Sequence, residues 1–434
     1  MLKRLFILLL FFCFTLQLHA QERLSLADAV AIALKNNYSI LISKNETEID
    51  ANNNTAGNAG MLPSLNINAA GTKSANDTKQ SYSSGLEVNR KNVSSGNLSA
   101  GAALNWTIFD GFKMFATQNK LRELQSKGEL NLKIEIENTI AQVISSYFDI
   151  VRYKDLLKAD QNAIDIFEER VKISDTKFNI GSSSKLDLLQ AKVDMNAEHS
   201  AQLKDKTSLG KAKINLNQLL ARALDTDFDV SDSIVITYQP KLDELRKTVF
   251  NQNSTLLSAQ KDLSVSSYTI KEIESQRYPK IGLGASYNYS RINNEVGLIL
   301  LNQNAGLNYG FTFSWNIFNG FNTNSQIKNA KLDYQNYALR LSDVKSKVES
   351  QLLQSFKNFD DALELLKLEE DNLLLANENV TVGLERFRIG NSTPLELKEA
   401  QNSLDDATNR TLQARYNAKI SETELMRLNG ELVK

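Results

Sequence analysis

Two heptapeptides, WTIFDGF at 106–112 and WNIFNGF at 315–321, stand 209 residues apart (315 minus 106), and the correspondence extends well beyond them. At the same offset FNIGSSSKLDLLQA at 178–191 answers FRIGNSTPLELKEA at 387–400, with no gap needed between the two motifs. Upstream, Asn37 answers Asn253 and Pro63 answers Pro279, both at an offset of 216, so one seven-residue length difference lies between proline and tryptophan. The chain reads as a duplication, with repeats over 24–221 and 240–430 joined by 222–241. A period near 200 is far longer than the roughly 20 to 50 residues of solenoids and propellers, so each copy must be a whole multi-element unit. Any function is then built from two similar halves.

The start of the chain carries Lys3 and Arg4, an apolar run over 5–14 and a polar stretch ending at Ala20, the pattern of a secretory signal over 1–20. That run is shorter than the ~20 apolar residues of a spanning helix. The single cysteine, Cys13, lies within it behind Phe12, so neither a lipid anchor nor a disulfide is expected. Without the signal, 48 basic residues (50 minus Lys3 and Arg4) face 51 acidic ones with no basic block, which argues against a nucleic-acid partner. Only four prolines interrupt 434 residues, so long unbroken elements are expected.

Each half opens with a short amphipathic helix, LSLADAVAIALKNN from Leu24 and LDELRKTVFNQN from Leu242. A second helix follows, over 37–60 in the first half, and stops near Pro63 or Pro279. Beyond each proline the apolar period changes from about 3.6 to 2, the mark of a strand with two unlike faces. From Ile281, the odd positions through Tyr289 are apolar or aromatic and the even ones are Gly, Ser and Asn; Leu307, Tyr309, Phe311, Phe313, Trp315 and Ile317 repeat the pattern. Leu98, Ala100, Ala102, Leu104, Trp106 and Ile108 do the same in the first half, with a weaker Leu65, Ile67, Ala69 partner. These are two hairpins, at about 63–109 and 279–318, four strands in all.

An antiparallel sheet packed on a core in water would alternate in the same way. The polar faces here carry almost no charge, the strands approach the ~9 to 11 residues that cross a bilayer, and a signal precedes them. A lipid-facing barrel fits better. Four strands cannot close one, and open edges are not tolerated in lipid, so several chains must share it. Two chains would give eight strands and three would give twelve. After each DGF or NGF turn comes a very long helix; the first, over 112–178, spans 67 residues, about 100 Å at ~1.5 Å per residue. The second carries a coiled-coil seam through Val344, Val348, Leu352, Phe356, Phe359 and Leu363. The returning helix over 186–220 is about half as long, and the geometry suggests a helical tube capped at one end by strands.

These residues together resemble the TolC-like outer-membrane efflux factors of Gram-negative bacteria over nearly all of the mature chain. The marks are LSLADAVAIALKNN, LPSLNI and YPKIGLGASYNYS, the paired WTIFDGF and WNIFNGF, and the paired FNIG and FRIG turns. The resemblance implies a mainly α chain with a transmembrane β part, forming a homotrimer. Its shared twelve-stranded β-barrel sits in outer-membrane lipid and continues into a periplasmic α-helical barrel. It implies a passive exit duct with no cofactor, docking on a periplasmic adaptor (membrane fusion) protein and an inner-membrane transporter of the resistance-nodulation-division, ABC or similar class.

By the same resemblance the helix turns are adaptor-docking tips, at Gly181, Ser182 and Ser183 and at Gly390, Asn391 and Ser392. Capping alone would also account for them. Gly181 and Gly390 are placed as C-cap glycines, while Ser184 with Asp187, and Thr393 and Pro394 with Glu396, fit capping boxes. Glu396 and Glu399 fall where such proteins set two acidic rings at the tube entrance, and Asp187 joins them as a pore-constriction residue. Crowded carboxylates of this kind favour cations and have raised pKa values. In the family's type member the acid matching Asp187 bonds a tyrosine beside an arginine; here those positions are Phe387 and Ser392, so that latch does not carry over. Enzyme chemistry has little to work with: His19 leaves with the signal, His199 lies mid-helix, and no cysteine remains for a nucleophile or a thiolate metal site. The competing reading is a secreted coiled-coil structural or adhesive protein, in which the apolar segment 296–301 would be a binding patch.

Overall fold

The computed structural model describes residues 22–433, so the secretory signal, with Cys13 and His19, lies outside the described residues. The chain forms two compact units. One takes the described part of Met1–Asn45 with Leu130–Leu257 and Val344–Lys434; the other is Glu46–Glu129 with Ser258–Asp343.

The second unit is organised by one antiparallel sheet in the order β2-β3-β5-β6, where β2 is Ser64–Ser81, β3 Glu87–Phe109, β5 Lys280–Asn294 and β6 Leu301–Ser314. The sequence halves meet along β3 and β5, in register from Ser95↔Asn294 to Trp106↔Leu283. Strands of 14 to 23 residues exceed the lengths expected for crossing a bilayer alone. The surplus is polar: Lys73, Asp77, Lys79, Glu87, Arg90 and Lys91 crowd the far end of the first hairpin, where water rather than lipid suits them. The apolar alternation survives on the exposed face, with Tyr309 81 % and Phe311 75 % exposed. Contiguous apolar surface of this kind needs a nonaqueous or protein neighbour.

The two copies end their second strands differently. β3 continues to Phe109, whereas β6 stops at Ser314, so Trp315 and Ile317 lie beyond the strand rather than within it as the alternation predicts. The cause is pairing. Pro63 and Pro279 stand just outside β2 and β5 and offer no N–H to a ladder. Past that point β3 is still held by β5, through Thr107↔Gly282 and Phe109↔Ile281, while β6, at the sheet edge, has only β5 and loses it after Lys280↔Ser314.

The duplicated heptapeptides turn each strand into a helix. Trp106 Nε1 donates to Met61 O (2.9 Å) and Trp315 Nε1 to Arg277 O (3.0 Å). Asp110 Oδ2 accepts from Met114 N (3.1 Å), and Asn319 bonds Thr323. Then follow two left-handed residues, Gly111 and Phe112 at φ +74° and +69°, and Gly320 and Phe321 at +67° and +62°. Gly111 has a second reason to be glycine, since a Cβ there would lie 2.4 Å from Ser275 O. A phenylalanine at positive φ is strained, and both copies keep it.

The helices are α1 (Leu26–Asn36), α2 (Tyr38–Asn53), α3 (Lys113–Asn179), α4 (Lys185–Leu219), α5 (Leu242–Gln252), α6 (Ser254–Glu274), α7 (Asn322–Arg388) and α8 (Pro394–Leu428). α3 and α7 have 67 residues each and α4 and α8 have 35 each, at the 209-residue offset seen in the motifs. One expectation fails: α2 has 16 residues and stops at Asn53, instead of running to Gly60. The run Asn52, Asn53, Asn54 and Thr55, followed by Gly57, is poor helix and good turn, and Asn58 Nδ2 ties back to Asn53 O (3.1 Å). α6 carries no such run, has 21 residues, and passes into a 3₁₀ turn, Ser275–Arg277, just before Pro279.

In the first unit β1 (Glu22–Leu24) pairs in parallel with β4 (Phe228–Val230). Two apolar clusters form there from matching positions. Ala29, Ala33, Val143, Ile150 and Leu216 belong to one; Leu245, Val249, Leu352, Phe359 and Leu425 belong to the other. Where the first uses alanine and valine, Tyr147, Phe148 and Phe228 supply the missing volume. Asn37 and Asn253, the matched asparagines, are both buried and do the same double duty. Asn253 Oδ1 accepts from Leu256 N (3.0 Å), capping α6, while its Nδ2 donates to Leu428 O (3.0 Å) at the end of α8. Asn37 bonds Ser39 N (2.9 Å) and Leu219 O (2.9 Å) in the same way. Each side chain satisfies an orphan donor at one helix start and an orphan acceptor at another helix end.

Candidate functional site

The two helix turns lie side by side in the first unit and wall one cleft of about 880 Å3, to which Ser182, Ser183 and Asp187 contribute from one turn and Gly390, Ser392 and Pro394 from the other. Each turn is dictated locally. α3 closes with Gly181 N bonded to Phe178 O (3.0 Å) and Ser182 N to Lys177 O (2.8 Å), and α7 with Gly390 N to Phe387 O (3.2 Å) and Asn391 N to Arg386 O (2.8 Å). This is a Schellman closure, which needs a left-handed residue; Gly181 and Gly390 have φ +77° and +85°.

Reciprocal capping boxes then start the returning helices. Ser184 Oγ accepts from Asp187 N (3.2 Å), while Asp187 Oδ2 accepts from Ser184 N (3.1 Å), Ser183 Oγ (2.7 Å) and Ser184 Oγ (2.8 Å). Glu396 is built alike: Thr393 Oγ1 accepts from its N–H (3.2 Å), and Glu396 Oε2 accepts from Thr393 N (2.9 Å) and Ser392 Oγ (2.7 Å), with Pro394 at N1. The Ser183 hydroxyl, then Ser184, hold the Asp187 carboxyl below the usual carboxylate range. The Thr393 amide and Ser392 hydroxyl do the same for Glu396. In the single chain this first-turn acid therefore stays ionised more readily than a free glutamate. The bonds formed here all favour the charged form. Glu396 and Glu399 are exposed on α8 and stand outside the cleft walls, whereas Asp187 lines the cleft. The former latch position Phe387 is buried and carries Lys177: the ammonium lies 4.1 Å from the ring centroid and donates to Phe387 O.

Behind the turns lies a charged network that sequence reasoning missed. Arg170 on α3 is 1 % exposed and approaches Asp194 Oδ2 on α4 at 3.1 Å. That approach lacks hydrogen-bond alignment, and Arg170 Nη1 instead donates to Gln401 Oε1 on α8 (3.1 Å). Asp194 Oδ1 takes Lys398 Nζ (2.8 Å) and Gln190 Nε2 (2.8 Å). Burial works to raise the Asp194 pKa, but Lys398, Gln190 and Arg170 together hold it below the usual value. The available signal was departure from the repeat: at the 209-residue offset Arg170 faces Asn379 and Asp194 faces Ser403, so charges stand in one copy only. Outside the first unit's turns, Arg388 Nη2 also reaches Glu169 Oε1 (3.1 Å), tying the end of α7 to α3.

With this architecture in view, the comparisons with known proteins agree. Residues 29–222 and 245–431 match the outer membrane efflux protein family. The outer membrane efflux protein BepC of Brucella suis biovar 1 is 20 % identical over 335 residues, 76 % of this chain and 72 % of that one. The outer membrane protein TolC of Escherichia coli is 21 % identical over 383 residues, 86 % and 75 % of the two chains. The crystal structure of the Campylobacter jejuni CmeC outer membrane channel superposes with a TM-score of 0.79 at 16 % identity, covering 94 % of this chain and 85 % of that one. The chain belongs to the outer membrane efflux protein family, and is an exit channel of the Gram-negative outer membrane with a helical periplasmic extension.

Proposed function

We propose that three copies assemble into a passive conduit that receives cargo from a periplasmic adaptor and an inner-membrane pump. The observation that carries the reading is the sheet. β2 and β6 are its edges, each with one unpaired ladder, and lipid leaves no water to satisfy those N–H and C=O groups. Pairing β2 of one chain with β6 of the next removes every edge, and three chains give twelve strands, enough for an aqueous lumen, where eight would be filled by side chains. The residues at the strand-to-helix turns, Trp106, Phe112, Trp315 and Phe321, are exposed aromatics suited to the membrane boundary.

Within this reading the turns at Gly181, Ser182 and Ser183 and at Gly390, Asn391 and Ser392 meet the adaptor, and the cleft they share offers it both apolar and charged wall. Asp187, Glu396 and Glu399 ring the constriction. Because Asp187 and Glu396 are committed to capping, Glu399 is the acid free to set ion preference. The duplication over 24–221 and 240–430 then serves to give a trimer six nearly equivalent helix pairs. A passive conduit of this kind needs no catalytic group.

The test is threefold. The purified protein in detergent should have the mass of three chains and should conduct in planar bilayers, and a cysteine at Ser183 or Ser392 should crosslink in cells to a periplasmic adaptor. A monomer, or a silent bilayer, refutes the conduit.

A further inference from the structure

Midway along the first unit's helices, a cavity of about 250 Å3 is walled by three carboxylates from three helices: Asp160 of α3, Glu198 of α4 and Asp405 of α8. Asp160 is only 7 % exposed, and its Oδ2 has no hydrogen-bond partner among the described residues. Other charges near the cavity do not relieve it. Asp205 on α4 and Asp406 on α8 add repulsion, Arg152 and Lys204 act on Asp205, and His199 acts on Glu198. α7 contributes neutral Leu373 and Asn377 to the wall.

The second half of the chain supplies an internal control. At the 209-residue offset Asp160 corresponds to Glu369, also buried, and Glu369 is paired with Arg410 (Nε to Oε2, 3.1 Å). The residue that corresponds to Arg410 is Ala201. The same buried acid is thus kept in both halves, but only one half provides its cation. Desolvation of an uncompensated carboxylate is relieved most cheaply by a proton. A metal is the alternative, and no group of described residues has the geometry for one.

We propose that the cavity between Asp160, Glu198 and Asp405 is a proton-binding site whose occupation tightens the packing of α3, α4 and α8 below neutral pH. Burial, then Glu198, Asp406 and Asp160, push the Asp405 carboxyl up to about 7; burial, then Asp205 and Glu198, push Asp160 up to about 6. Both lie above the ~3.9 of an unfolded aspartate, so the native state binds more protons than the unfolded one between those values. Stability therefore falls as pH rises from about 4 through 7, and the penalty is complete above that.

Infrared difference spectra of the full-length protein in detergent, between pH 8 and pH 6, read the proton directly. A protonated-carboxyl band should grow with a midpoint near neutrality, persist in Asp371→Asn, an exposed acid on α7, and vanish in the Asp160→Asn, Asp405→Asn double variant. Ala201→Arg, which transplants the cation of the other half beside Asp160, should remove the Asp160 share of it. In thermal melts Asp405→Asn should raise Tm at pH 8 and leave it unchanged at pH 4. A band absent from the wild type, or retained in the double variant, overturns the proposal, as does an equal Tm shift at both pH values.

Discussion

Removing the Asp194 carboxylate alone should cost more than removing the whole ion pair. Asp194→Ala leaves Arg170, at 1 % exposure, with Gln401 as its one polar partner among the described residues and with its Nε already unsatisfied. Breaking a buried pair from one side typically costs about 3 to 5 kcal/mol, because the charge left behind has been taken out of water for nothing. Lys398 is partly exposed and can turn to solvent, so it adds little to that loss. In the Arg170→Met, Asp194→Leu double variant no charge is stranded, and apolar replacements of similar volume run from neutral to stabilising by about 1 to 4 kcal/mol. Guanidinium unfolding of the purified protein at pH 7, followed by circular dichroism, gives the order: Asp194→Ala least stable, wild type and double variant close together. The pH dependence has a definite sign. The folded pKa of Asp194 lies below its unfolded value of ~3.9, so its stabilisation is complete above that value and is lost as pH falls through the lowered folded value. The gap between wild type and Asp194→Ala should therefore narrow in acid. A double variant as unstable as Asp194→Ala would refute the argument, since it would show that the network acts by shape rather than by compensated charge.

Asn253→Ala removes both the α6 cap and the donor to Leu428 O, and should destabilise by about 2 to 4 kcal/mol in the same assay; Asn253→Asp, which keeps the acceptor, should fall between. Gly390→Ala meets no side chain or backbone within 4 Å, so its cost is the left-handed backbone alone, about 1 to 2 kcal/mol, seen as faster hydrogen exchange at the start of α8. Glu399→Gln should shift the reversal potential of bilayer currents away from cations while leaving Tm unchanged. Glu396→Ala should instead lower Tm and leave the reversal potential nearly unchanged, because that side chain is committed to capping α8. Identical behaviour of the two variants would remove the distinction between capping acid and pore acid.

Much of this was legible in the chain. The helix pairs, both hairpins, the capping boxes and the C-cap glycines are local features, set by side-chain period and by residues within five positions of one another. They emerged where the spacing put them, and so did the family. Boundaries moved where local chemistry was overlooked, as in the asparagine run that ends α2, or where pairing intervened, as at Trp315 on the sheet edge.

Long-range partnership was invisible. Spacing shows that Asn37 and Asn253 correspond, but only the folded chain shows each capping one helix while closing another 175 or more residues away. The two halves are similar sequences in dissimilar surroundings. Arg170 finds Asp194, Glu369 finds Arg410, and among the described residues the charges that act on Asp160 are other carboxylates. Period and capping are properties of consecutive residues, so the sequence by itself determined the elements, their order and the duplicated plan. Burial and charge compensation depend on which helices meet, so the tertiary structure alone decided which of the remaining acids are paired and which are left to take up a proton.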